Sequence, residues 1–245
     1  MLQLRHLRVA VPLTGLALIV TACSSAGTSS DSKANANSAG AASGWTVEAE
    51  PDAKGAAVVN AINTATKTVD IPIYSIISSS GEDASFTSYL TAAKARGVNI
   101  RVMMNGGYGH ASPTVAQAYL AKLKAAPGAG TVGVNYSSNN FSITHQKSII
   151  TDAADATGKP LSSDALPSTA RLVVSTGNFS AGYPVSNPGP WYGARDFEMT
   201  STNPADIALA EQTFVSDFSC APVNVIQPPN EQATDRLIWS NGTTG

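Results

Sequence analysis

The sequence predicts an α/β domain with a mainly parallel or mixed sheet flanked by helices, on three observations. Strand-like runs alternate with helical stretches of about 10 to 15 residues from Trp45 to Tyr136. Consecutive strand-like runs then follow without intervening helices up to Thr200, and one more helical stretch closes the pattern at Pro204 to Phe218. At 245 residues and 43% hydrophobic content, the chain supports one core once its ends are set aside.

Trp45-Thr46-Val47-Glu48-Ala49-Glu50 alternates apolar and polar residues with the period of a strand. Asp52 to Thr66 places Ala56, Val59, Ala61 and Ile62 at helical spacing, and Val69 to Ile76 is apolar enough for a strand buried on both faces. A second helix runs from Asp83 to Arg96, is stopped by Gly97, and leads into the strand Asn99 to Met104. Thr114 to Ala125 forms a third, broken by Pro127-Gly128, before the extended run Val132 to Tyr136. His145 to Thr151, Arg171 to Ser175 and Asp196 to Thr200 are the later strands, and the Gly/Pro/Ser/Asp-rich stretch Ala153 to Thr169 is a surface excursion. Leu237-Ile238-Trp239-Ser240 is a further strand-like run with nothing after it to pair with, so it reads as the start of an absent element.

The N-terminus carries a targeting pattern. Arg5, His6 and Arg8 precede an apolar run, Val9 to Val20, which is short for a membrane span and has the order of an export signal. Val20-Thr21-Ala22-Cys23 resembles a bacterial lipobox, which implies a signal over 1–22, lipidation of Cys23 and a protein anchored at a membrane of the cell envelope. Residues 24–44 are nearly all small and polar and read as a flexible tether, so the expected organisation is a tether over 23–44, a domain over 45–228 and a linker with a truncated second half over 229–245. Cys220 is left as a single cysteine, either a buried small hydrophobe or half of a missing pair.

Lys plus Arg number 15 against 17 Asp plus Glu, so no basic surface is available to hold nucleic acid by charge alone, and a lipid or small diester is the better substrate expectation. His145, Lys147 and Asp152 form an H-x-K-x-x-x-x-D string. On a strand His145 and Lys147 share a face, which places an imidazole beside an ammonium: a nucleophile for phosphorus and a cation for the oxygens that gain charge. No metal or other cofactor is required by that chemistry. Ser175-Thr176-Gly177-Asn178-Phe179-Ser180 follows, where Asn178 can donate to the same oxygens, and Asp196 in Arg195-Asp196-Phe197-Glu198 could fix the imidazole tautomer.

Together these three segments resemble the phospholipase D superfamily: its HxKxxxxD box, its Asn segment and its later acidic strand. The resemblance implies that His145 becomes phosphorylated, that Lys147, Asn178 and Thr176 bind phosphate, that Asp196 orients the imidazole, and that Asp152, counted with the catalytic motif, mainly organises it. Ser175-Thr176 departs from the Gly-Ser usual before the Asn. The family's site also needs a second motif whose His acts as general acid, and this chain has one. His110, in Gly106-Gly107-Tyr108-Gly109-His110, lacks the following Lys and reads as a loop residue. The expected function is a phospholipase D-type phosphodiesterase or transphosphatidylase on glycerophospholipid. The alternatives are a homodimer whose two single motifs make one nuclease-like site, or an incomplete half that only binds phosphorylated ligands.

Overall fold

The computed structural model describes residues 44–78, 81–82, 84–106, 113–137, 143–179 and 195–219. The expected export signal, Cys23, the expected tether before Gly44, His110, Ser180, Cys220 and the run Leu237 to Ser240 lie outside the described residues, as does the whole of the first of two units, 1–35. All that follows concerns the second unit.

The expected helices form at α1 (Ala56–Thr64), α2 (Ala84–Ala95), α3 (Pro113–Ala125) and α4 (Pro204–Phe218). The strands are β1 (Trp45–Ala49), β2 (Thr68–Ile73), β3 (Ile77–Ser78), β4 (Gly81–Glu82), β5 (Asn99–Met104), β6 (Val132–Tyr136), β7 (Ser148–Thr151), β8 (Arg171–Ser175) and β9 (Phe197–Ser201). Seven of them make one sheet in the order β1-β9-β8-β7-β2-β5-β6, and β3 and β4 pair separately.

The sheet is mixed. β2, β5 and β6 run parallel, joined by helical crossovers, whereas β7, β8, β9 and β1 pair antiparallel with their neighbours. Both faces are covered, and the strands show it by alternation. Val102, Ile149 and Val173 point into the core under α1, α2 and α3, while Met103, Ile150 and Leu172 point into a second core under α4. Phe86, Phe179, Phe214 and Ile62 are fully buried, each worth about 2 kcal/mol in transfer from water.

Charged groups fasten the helices. Gly55, at φ 69°, caps α1 without a side chain of its own. The orphan amides are met from β1 and the residue after it: Glu48 Oε2 accepts from Ala57 N at 3.0 Å and Glu50 Oε1 from Gly55 N at 2.7 Å. On the other face Asp206 of α4 accepts from Trp45 Nε1 and from Ser201 Oγ, both at 3.1 Å, which ties the helix to β1 and β9. Arg101 of β5 reaches Asp70 of β2 at 2.6 and 2.8 Å and Glu211 of α4 at 2.6 Å, with its guanidinium over the Phe214 ring.

Topology places the chemistry. The C-terminal ends of β2, β5, β6, β8 and β1 and the N-terminal ends of β7 and β9 all lie at one edge of the sheet. Open α/β sheets bind ligands beyond the carboxyl ends of their parallel strands. His145, Lys147, Asn178 and Asp196 all follow or precede strands at that edge.

Candidate active site

His145 was expected on a strand, and it precedes one. β7 starts at Ser148, and Lys147 makes a single bridge to Ile73 in register with the β2–β7 ladder. The ladder is interrupted where Pro72, which has no N–H, lies across from Ser148. Beyond the bridge the chain is held by Tyr74 N donating to Gln146 O at 2.7 Å and Ser175 N to Lys147 O at 2.8 Å. Lys147 thus sits between the ends of β2 and β8.

The two motif side chains do meet, through a residue that the motif does not contain. The Tyr74 ring packs edge-on against the His145 imidazole with centroids 4.7 Å apart, and the Lys147 ammonium lies 5.4 Å from the centre of the same ring. Lys147 Nζ donates to the carbonyl of His145 at 2.9 Å, which uses one of its three protons and leaves two for a ligand. The imidazole itself is exposed and Lys147 is buried. Burial, then the nearby ammonium, lowers the His145 pKa below its ordinary 6.5, so the ring is neutral and nucleophilic at pH 7. Burial lowers Lys147 from 10.5, with Asp196 pulling the other way.

Asn105, at the end of β5 and fully buried, fixes the approach to His145 by accepting from Thr144 N through Oδ1 at 2.8 Å. Next to it, Gly106 passes so close to β6 that a Cβ would stand 2.5 Å from Ser137 O. Tyr74 and Asn105 were missed in the sequence. Both stand immediately past the ends of parallel strands, and that position was the available signal.

Asp152 takes no place beside the imidazole. It lies at the far end of β7, buried, with φ 54°, and its carboxylate accepts from the amides of Thr66, Lys67 and Thr68 and from the hydroxyls of Thr66 and Thr169. Every one of these contacts is with the turn between α1 and β2, the first residue of β2 or the end of the excursion, and none is with the imidazole.

Asn178 is buried at the end of β8, its Oδ1 without a hydrogen-bond partner. Thr176 differs from its expected phosphate-binding part. Its hydroxyl donates to Asp196 Oδ1 at 2.7 Å and accepts from Phe197 N at 2.9 Å, so its one proton is spent on joining β8 to β9. No hydrogen bond joins Asp196 to His145 either; the Asp196 carboxylate acts on Lys147 by charge, and its Oδ2 is buried and unpartnered.

Behind Asp196 the acidic residues continue. Glu198 is fully buried and stands in register with Glu48. Burial, then the Glu50 carboxylate, pushes its pKa up to about 8. Burial also raises Glu50, with Glu48 and Asp196 adding to the effect. Among the described residues no group of His, Cys, Asp or Glu has the geometry to hold a metal ion.

A family model described as cardiolipin synthase, PLD-like domain, matches residues 58–184, a span that contains the H-x-K-x-x-x-x-D string and Asn178. The chain belongs to the phospholipase D-like family. That family is one of phosphodiesterases, and the mixed seven-stranded sheet flanked by helices is a phospholipase D-like fold. Among solved structures, the chain is similar to NucT from Helicobacter pylori, at 15% identity over 71% of this chain and 95% of that one with a TM-score of 0.48. It is also similar to a polyphosphate kinase from Porphyromonas gingivalis, at 15% identity over 74% of this chain and 27% of that one with a TM-score of 0.50, a likeness of fold. No curated protein sequence matches the phospholipase D-like chain.

Proposed function

We propose that the protein is a phosphodiesterase that works through a phosphohistidine at His145 and acts on glycerophospholipid. The observation that carries the first part is the Tyr74-centred pair: a neutral imidazole, exposed and oriented, beside a buried ammonium with two free protons. In that arrangement a His145 nitrogen forms a bond to phosphorus while the alcohol oxygen leaves. Lys147, with the Asn178 amide, holds the non-bridging oxygens as they gain charge. Water then attacks the phosphorus and releases His145.

The leaving oxygen needs a proton, and the water must lose one. A second imidazole does both in turn, and the single H-x-K string means that it comes from a second copy or a further segment. That one observation makes the homodimer a second reading, which the concentration dependence below tests.

Two features support lipid over nucleic acid. Ile143, 43% exposed, lies two residues before His145, and Phe197, 49% exposed, follows Asp196, so apolar side chains flank the motif residues. The formal charge is −2, against the counterion-releasing surface that nucleic acid favours. Anchoring through Cys23, with export to the cell envelope, would keep the enzyme at its substrate.

The test is cleavage of a headgroup-labelled phospholipid, of bis(p-nitrophenyl) phosphate and of DNA over a wide range of protein concentration, with a denaturing alkaline quench that preserves a phosphoryl group on His145 and acid treatment that removes it. Activity and label are expected to vanish in His145→Ala, and a rate rising faster than linearly with concentration shows that two copies complete the site. Turnover or protein label that survives His145→Ala overturns the phosphohistidine mechanism. Cleavage of DNA in preference to lipid overturns the substrate.

A further inference from the structure

The backbone around His145 is held at each of residues 144–147. Asn105 Oδ1 accepts from Thr144 N at 2.8 Å, the His145 carbonyl accepts from the Lys147 ammonium at 2.9 Å, Tyr74 N donates to Gln146 O at 2.7 Å, and Ser175 N donates to Lys147 O at 2.8 Å. The side chain is held differently. The imidazole is exposed, and among the described residues neither of its nitrogens is hydrogen-bonded. A histidine that must present one nitrogen in a fixed direction is usually gripped by a carboxylate or carbonyl on the other. Asp196, the carboxylate expected in that place, is bonded to Thr176 at 2.7 Å instead.

The group that packs on the imidazole is Tyr74. Its half-buried ring stands just past the end of β2, with its centroid 4.7 Å from that of the imidazole and the two planes at 64°. The Lys147 ammonium lies 5.4 Å from the same ring centre. A circuit closes: the ammonium bonds the His145 carbonyl and rests on the Tyr74 ring, and that ring bears on the His145 imidazole. Because the Tyr74 amide is itself bonded to Gln146, ring and imidazole hang from neighbouring points of one clamped pair of backbone segments.

We propose that Tyr74 is the positioning residue of His145, taking by ring packing the part that the sequence suggested for Asp196, and that the same ring sets the spacing between the imidazole and the Lys147 ammonium. The proposal rests on the phosphohistidine reading and adds to it what aims the nucleophile. A histidine side chain left to itself is shared among about six wells, three about χ1 and two about χ2, so an unheld imidazole is aimed at phosphorus for about one sixth of the time. An edge-on aromatic contact is strong enough to gather most of that population into one well.

The test follows the histidine ring protons by NMR in the full chain, in wild type, Tyr74→Leu, Tyr74→Phe and Asp196→Asn, at a pH where the imidazole is neutral. Beside it, single-turnover phosphorylation from bis(p-nitrophenyl) phosphate is measured under the alkaline quench for the wild type and the two Tyr74 variants, at one protein concentration. Tyr74→Leu should shift the His145 ring protons and slow phosphorylation about fivefold. The diester concentration at half-maximal rate should change by less than about twofold, since the ring aims the nucleophile and does not bind the diester. Tyr74→Phe, which keeps the ring, should restore most of the rate, and Asp196→Asn should leave the His145 ring protons in place. Phosphorylation of Tyr74→Leu at the wild-type rate, a Tyr74→Phe as slow as Tyr74→Leu, or ring protons that respond to Asp196→Asn as strongly as to Tyr74→Leu overturns the proposal.

If Tyr74→Leu does not fold, the nuclear Overhauser effect between the ring protons of Tyr74 and His145 decides. Its presence in the wild type, kept together with the rate in Tyr74→Phe, supports the contact, and its absence overturns it. Wild-type protein that never acquires phosphate on His145 sinks the phosphohistidine reading, while the ring-proton comparison still decides whether Tyr74 aims the imidazole.

Discussion

Glu198→Gln offers a quantitative check on the acidic wall behind the site. Glu198 is fully buried on β9, and its pKa stands at about 8, because of burial first and the Glu50 carboxylate second, against an ordinary 4.5. A carboxyl whose pKa is raised on folding binds its proton more tightly in the folded chain than in the unfolded one. Its contribution to stability is therefore fully present below about pH 4.5 and is lost as pH rises toward about 8. At about 1.36 kcal/mol for each pH unit, the whole span amounts to about 5 kcal/mol, of which about 3.5 kcal/mol falls between pH 5 and pH 8. Glutamine has nearly the shape of the protonated acid and does not titrate. Urea unfolding at pH 5, 6, 7 and 8 should place variant and wild type within about 1 kcal/mol of each other at pH 5. By pH 8 the variant should be ahead by about 3 kcal/mol. Glu211, Asp217 and Asp70, all raised by burial, give slopes of the same sign in both proteins and cancel in the difference. Parallel stability curves for the two proteins would refute the assignment of a neutral Glu198.

Two further outcomes are expected. Asp152→Asn keeps a residue that tolerates φ 54° but sets an amide NH2 among the donors of Thr66, Lys67 and Thr68, so unfolding in urea should show a loss of about 3 kcal/mol, and a loss below about 1 kcal/mol would contradict the organising part given to this carboxylate. The His145 pKa, followed by NMR titration of its ring protons, should lie below 6.5 in the wild type and move up in Lys147→Met, since the ammonium is one of the two causes that hold it down; a downward move or none would separate the two side chains.

The elements of the fold were legible because burial imposes a period. β5, β6, β8 and α4 form where alternation or helical spacing predicted them, to the residue. β7 is shorter than predicted because apolar pattern alone does not register Pro72 in the neighbouring strand, which interrupts the ladder that would have carried His145. The site divides the same way. His145 and Lys147 stand out through spacing within one segment, and Thr176 and Asp196 stand out as polar groups near strand ends. What those two bond to depends on the pairing of β8 with β9, a fact of topology, and so the hydroxyl expected at phosphate is found on a carboxylate. Tyr74 and Asn105 lie 71 and 40 residues before His145, and only the sheet order brings them to it. Asp70 and Arg101 were readable as a pair in principle, being register partners on adjacent parallel strands, but Glu211 joins them from a helix whose packing no local pattern specifies.

The direction of β1 has a consequence for how the protein can work at a surface. Ala49 pairs with Phe197 at the site edge and Trp45 with Ser201 at the opposite edge, so the chain enters the domain at the pole away from the chemistry. A leash fixed at Cys23 would pull on that far pole, not on the catalytic one. The 21 residues from Ser24 to Gly44 reach at most about 75 Å when fully drawn out, several times the length of a five-residue strand. With Cys23 lipidated as proposed, a leash of that reach would allow the site edge to turn toward the membrane, and shortening the leash would turn that edge outward.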